Sequence, residues 1–363
     1  MSTDAPSRSA AQGTFSEDAW RQACRIALGT TVALAVVKLM DWPFGAFFAL
    51  LPVLLLGLVP IYNLRIAAQF IASSVVSIAA ANVLAILGNV SPVLAIAAYF
   101  TFSLFCFRLM ANGPWFLFGA LTMVASSVLV HLASYPQVPK GDLFTSQFVA
   151  TLLAAFLAGV VHALIPERRA IRPPTVVKPM TLVRHQMLLG AACATVSFAA
   201  FQFLDLSDSP SAQAATVLVL FPMTLSGGKQ AAWTRVSGTL LGTVYALVLQ
   251  LVLFAHVSQG GFLVALYGVG ALLFATMHVR ENAGPAVGLS AATAIAVLIG
   301  QLAPAADLYR ASLYRFTSVA IAIFAMLLCM FAVEAILNRF EATRITPAVP
   351  GPAPGSERSA STP

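Results

Sequence analysis

Charge is what this chain has least of. Only 9% of its 363 residues are Asp, Glu, Lys or Arg, against 59% that are hydrophobic. A soluble domain carries about 25% charged residues. So little polar surface cannot cover a water-soluble fold of this length, and lipid is the expected solvent for most of it. Acid is scarcer than base: 13 Asp and Glu stand against 20 Lys and Arg, a formal charge of +7. Nucleic acid is not expected as the partner of that surplus. The cations sit between apolar runs rather than on one polar domain, as inner-leaflet orientation requires. Cysteine is scarce as well. Cys24, Cys106, Cys193 and Cys329 are far apart, each in or beside an apolar run. With no C-x-x-C and no His/Cys ligand spacing, they read as small packing residues, and no metal is expected. His131, His162, His185, His256 and His278 fall near the ends of apolar runs, again without zinc spacing.

Catalytic patterns are missing too. There is no P-loop, no H-E-x-x-H and no hydrolase elbow. Leu225-Ser-Gly-Gly-Lys-Gln230 is similar to the nucleotide-contacting signature of ABC ATPases, but that signature needs a partner P-loop. Neither an enzyme nor a cofactor is expected. Residues 1–19 are polar, and no small-residue cleavage site follows the first apolar run, so a cleaved leader is not expected.

What the chain does have is long apolar runs, with a mean hydropathy of +0.88. They fall into two blocks, 21–165 and 185–340, around a basic linker at 166–184. The linker sets Arg168, Arg169, Arg172, Lys178 and Arg184 against Glu167 and carries four prolines, which bar a continuous helix. The tails 1–20 and 341–363 are Ser-, Pro- and Gly-rich and are expected to be disordered. Each block divides into six apolar runs taken as bilayer spans, of which the one near 212–225 is short. The expected fold is therefore an all-α membrane protein with about 12 transmembrane helices in two six-helix repeats. With both termini and the linker inside, most cations fall on the inner side, as the positive-inside rule asks.

The two blocks also match in layout. A first run ends in an acid in each, at Asp41 or Asp205. A second run ends in a proline turn, Leu58-Val-Pro60 or Leu220-Phe-Pro222. The fourth-to-fifth turns read Arg108-Leu-Met-Ala-Asn112-Gly-Pro114 and Arg280-Glu-Asn282-Ala-Gly-Pro285. Six runs per block is an even number, so the repeats would be parallel, related by an axis along the membrane normal.

The inner turn Lys229-Gln-Ala-Ala-Trp-Thr-Arg235-Val-Ser-Gly238-Thr-Leu-Leu-Gly242 resembles the fusaric acid resistance and aromatic acid exporter family. The opening Arg25-Ile-Ala-Leu-Gly-Thr-Thr with Trp42-Pro43 is similar to that family's smaller members. The resemblance covers about 21–339. It implies a bacterial inner-membrane efflux component that exports aromatic or other weak organic acids. It also implies a periplasmic membrane-fusion adaptor as partner. Larger members carry a sizeable cytoplasmic domain; here only the linker and tail stand in its place. The alternative is a non-transporting membrane scaffold that docks an adaptor or another exporter, and a homo-oligomer is compatible with either.

Candidate site residues are charges that lipid penalises. Arg235, Lys229, Arg108 and Arg280, with Asn112 and Asn282, stand at inner turns and are candidates for capturing an organic anion. Arg grips a carboxylate with two parallel hydrogen bonds. The competing reading is plain anchoring at the inner face. Lys38 and Asp41, three apart on one helical face, form a candidate proton or carboxylate site near the outer mouth, with Asp205 at the matching turn. The competing readings are a snorkelling interfacial pair and a solvated loop. Gly238-x-x-x-Gly242 is expected to let helices approach closely. No carboxylate is expected deep in a span, so any proton coupling would fall to a boundary residue.

Overall fold

A computed structural model describes residues 17–167, 178–206, 209–254, 260–281, 286–301 and 308–344. Arg168, Arg169, Arg172, Asp208, His256, Asn282 and residues 1–16 and 345–363 of the tails lie outside the described residues, whereas 17–20, expected in the N-terminal tail, are helical. Among the described residues the chain is all-helical. The helices are α1 (Glu17–Met40), α2 (Gly45–Leu58), α3 (Leu64–Val90), α4 (Pro92–Ala111), α5 (Phe116–Ala133) and α6 (Lys140–Leu164). After the linker come α7 (Met180–Phe203), α8 (Pro210–Val219), α9 (Leu225–Phe254), α10 (Gly260–Arg280), α11 (Val287–Gly300) and α12 (Leu308–Leu337).

Nine of these helices are long and apolar enough to cross a membrane. The other three of the twelve helices are shorter. α2 and α11 have 14 residues each and α8 has 10. At 1.5 Å per residue they reach roughly 15–21 Å, short of the ~30 Å hydrocarbon core. Nearly all of α2 and α11 is buried. Other helices surround them, so they need not reach both interfaces. The long helices instead turn apolar side chains outward. Ile321, Phe324, Leu328 and Phe331 recur at helical spacing on α12 and are all exposed, a face suited to lipid.

Helix ends follow local chemistry. Asn63 caps α3 by accepting from the Ile66 amide at 3.0 Å, and Ser91 with Pro92 opens α4. At the linker end Arg21 donates to the Pro166 carbonyl and Arg25 to that of Ile165, each at 3.0 Å, tying the start of α1 to the end of α6. Desolvation raises the Glu167 carboxyl above its usual range, with the Arg25 charge pulling the other way. His185 Nδ1 donates to the Thr343 carbonyl at 2.8 Å, tying the start of α7 to the residues after α12.

The glycine face on α9 packs on α11. A Cβ at Gly242 would stand 2.7 Å from both the Ala291 carbonyl oxygen and the Ala294 Cβ. Gly242→Val should therefore force the helices apart and cost about 1–3 kcal/mol. Unfolding of the purified variant in detergent measures it. A change at Gly141, which has nothing within 4 Å, should be near neutral.

Candidate functional site

A cavity of about 500 Å³ lies among α1, α2, α5, α8, α9, α11 and α12. Lys38, Asp41, Arg235 and Arg315 line it together with Thr239, Thr293 and Gln301, and its remaining wall is largely apolar. Cations dominate its charge.

The first corner is built by the turn after α1. Lys38 sits in the last turn of α1, where a cation complements the helix dipole. The helix then stops abruptly. Asp41 (φ 48) and Phe44 (φ 53) both adopt left-handed backbone before α2 begins at Gly45. Asp tolerates that conformation through local hydrogen bonding; Phe does so only under strain, which the surroundings must hold in place. Both residues line the cavity. Strain concentrated there suits a binding wall.

Close backbone approach closes the same corner. A Cβ at Gly45 would stand 2.5 Å from the Gly300 carbonyl oxygen, and one at Gly300 would stand 2.8 Å from the Ala46 Cα. The C-terminal end of α11 is thereby pressed against the start of α2. Lys38 Nζ donates to that same Gly300 carbonyl at 3.4 Å.

The second corner is Arg235. The sequence places it at an inner turn, and the structure corrects this. α9 begins at Leu225, so Arg235 lies ten residues, about 15 Å, into a 30-residue helix. Gly227 and Gly228 are helical. Gly228 leaves room for Met330 of α12, which a side chain would displace. Arg235 Nη1 donates to Thr293 Oγ1 at 2.8 Å. That hydroxyl spends its own proton on the Ser290 carbonyl, also at 2.8 Å, so a lone pair faces the guanidinium. Among the described residues, Arg235 Nε is buried without a hydrogen-bond partner. Leaving such a donor unsatisfied costs about 1–3 kcal/mol, so a ligand that accepts from it gains accordingly.

Arg315 is the third cation. It stands near the start of α12 and donates to Gln301 Oε1 at 3.0 Å. Arg235, Arg315 and Lys38 therefore each rest on a neutral acceptor of α11 or the residue following it. Asp41 lies within Coulombic reach of Lys38.

The other inner-turn candidates are elsewhere. Lys229 is exposed in the first turn of α9, and Arg108 and Arg280 are exposed in the last turns of α4 and α10. Asn112 is the exposed C-cap of α4. None of these four lines the cavity. Asp205 repeats the left-handed turn of Asp41 at φ 49 but is exposed and outside the cavity. Arg315, Gln301 and Thr293 escaped the sequence reading. The signal for Arg315 was an arginine just inside the apolar run Leu313-Tyr-Arg-Phe316. Gln301 and Thr293 had no signal of their own.

Residues 188–329 match the family described as Fusaric acid resistance protein-like, and residues 22–161 match Protein of unknown function (DUF2955). No curated protein and no solved structure matches the chain. The resemblance drawn from Lys229 to Gly242 falls inside the first of these matches. The second half of the chain is thus similar to the fusaric acid resistance-like family, which is consistent with a role in membrane transport.

Proposed function

We propose that this chain is an efflux component of the bacterial inner membrane that carries aromatic and other weak organic acids outward, working with a periplasmic membrane-fusion adaptor. The observation that carries this reading is the cavity: three cations on neutral acceptors beside an apolar wall. An organic acid presents the complement, a carboxylate on an apolar body. Arg235 would take the carboxylate through its unpartnered Nε and a neighbouring amine, a two-bond grip that fits planar acids.

In this reading the linker, both termini and the exposed cations Arg108, Lys229 and Arg280 face the cytoplasm, and the Asp41 turn faces outward. The two halves form six-helix repeats that rock against one another. Helix packing supports the duplication. α3 on α5 is matched by α9 on α11, α2 on α6 by α8 on α12, and α1 on α10 by α7 on α4. Contacts away from the Asp41 corner would seal the cytoplasmic end: His278 Nε2 donates to the Gly57 carbonyl at 2.9 Å, and Phe116 meets Phe221 edge-on. Asp41, the carboxylate among the described lining residues, is the residue assigned to proton coupling, with Lys38 tuning it. Asp205 marks the corresponding turn of the second repeat.

The test is retention of aromatic acids in deletion cells complemented with the wild type or with Arg235→Gln. Wild-type cells should hold less acid than deletion cells, and Arg235→Gln cells should match the deletion. Undiminished export by the variant across a broad panel would contradict the reading. Transport by the wild type in liposomes without partners would dispose of the scaffold alternative.

A further inference from the structure

Arg235 and Arg315 come from different helices, α9 and α12, yet line one cavity, and Arg315 feels the charge of Arg235. Two like charges sharing a space walled by protein and lipid repel more strongly than in water. Among the described residues, neither is paired with a carboxylate. Arg235 rests on the Thr293 hydroxyl and Arg315 on the Gln301 amide oxygen. A neutral oxygen satisfies one N–H of the five on a guanidinium and leaves the charge uncompensated.

The acids near the cavity do not change this balance. Among the described residues lining it, Asp41 is the one carboxylate, and it lies in the field of Lys38. That leaves the two guanidiniums as the excess. A ligand with one negative charge would neutralise one of them and strand the other. A ligand with two would neutralise both, and partly buried arginine is costly enough in a membrane for that difference to weigh on affinity.

We propose that the cavity is built for organic dianions: compact dicarboxylates whose two acid groups lie close together on an apolar, preferably aromatic, body. The inference rests on the organic-anion reading above and narrows its substrate class. The volume of about 500 Å³ suits a single substituted ring. Trp42, Phe44, Leu50 and Val128 supply the apolar wall. Arg315 becomes the specificity residue. Arg235 captures the first carboxylate, and Arg315 exchanges Gln301 for the second.

The test is direct binding to the full chain in lipid nanodiscs. Benzene-1,2- and benzene-1,3-dicarboxylate are compared with benzoate near pH 7.5, where all acid groups are ionised. At least one dicarboxylate should bind about tenfold or more tighter than benzoate. That advantage should fade as the pH falls through the dicarboxylate's second ionisation. Arg315→Gln should bring the ratio close to one, and Arg315→Lys should restore part of it, which a merely structural role for Arg315 would not do. Benzoate binding as tightly as both dicarboxylates, or Arg315→Gln weakening both classes equally, would overturn the dianion inference. If benzoate still bound in an Arg235-dependent way, the organic-anion reading would survive that result. Absence of binding by any of the three acids would overturn both.

Discussion

Arg235→Glu should abolish anion binding, lowering affinity by about two orders of magnitude or more. Hydrogen bonds to charged groups are worth about 1.5–3 kcal/mol each, and this change removes more than one. It deletes the guanidinium that rests on Thr293. It also sets a carboxylate in the cavity shared with Arg315, where the two would pair and withdraw the second cation from the ligand. The excess charge of the lining thus falls from two to none, and any acid entering meets an acid already in place. The measurement is the ligand-dependent rise in unfolding temperature of the purified protein. The wild type should show a rise with aromatic acids, and the variant none. Because the new carboxylate has Arg315 beside it, the unliganded variant should unfold close to the wild-type temperature. That separates loss of the site from loss of the fold.

The largest effect on stability is expected at Gly45. A Cβ there would meet the Gly300 carbonyl oxygen at 2.5 Å, and that atom belongs to backbone that no rotamer change can move aside. Gly45→Val should cost about 3 kcal/mol or more, the range of severe overpacking. Its consequences should reach the cavity as well. Gly300 also accepts from Lys38, so displacing the end of α11 disturbs the mouth and the Gln301 acceptor of Arg315 next to it. Unfolding in detergent should show the stability loss, and ligand binding in the surviving folded fraction should be weaker. Gly45→Val unfolding like the wild type would mean that the two helix ends do not meet as described.

Much of the architecture is legible in the residues themselves. Apolar runs give the helices, and Asp41-Trp-Pro43 gives the turn that closes the cavity, because an acid and a proline together cannot continue a helix in lipid. Gly238 and Gly242 announce a close helix crossing, and the structure puts α11 there. Other features are not legible. A helix surrounded by other helices is apolar all round, so α2 and α11 read like spans although they are short. Gly227 and Gly228 look like a turn, and only the presence of Met330 opposite Gly228 explains their place inside α9. That misplacement puts Arg235 at an interface when it belongs in the middle of a helix. The cavity is the least legible feature. Lys38, Arg235 and Arg315 are separated by 197 and 80 positions, and nothing local marks their convergence. Each has a ready explanation as an anchoring cation, and only tertiary packing shows that they line one cavity and rest on acceptors of α11 or the residue after it.

The most direct measurement is ligand protection of a thiol placed inside the cavity. Val297 lines it, and the native Cys24, Cys106, Cys193 and Cys329 do not. In a Val297→Cys variant with the native cysteines replaced, the rate of modification by a small anionic thiol reagent reports whether anions enter. Modification should proceed, aromatic acids should slow it in proportion to their occupancy, and adding Arg235→Gln should remove the protection. An unchanged rate in the presence of high concentrations of both mono- and dicarboxylic aromatic acids would contradict an anion-binding cavity.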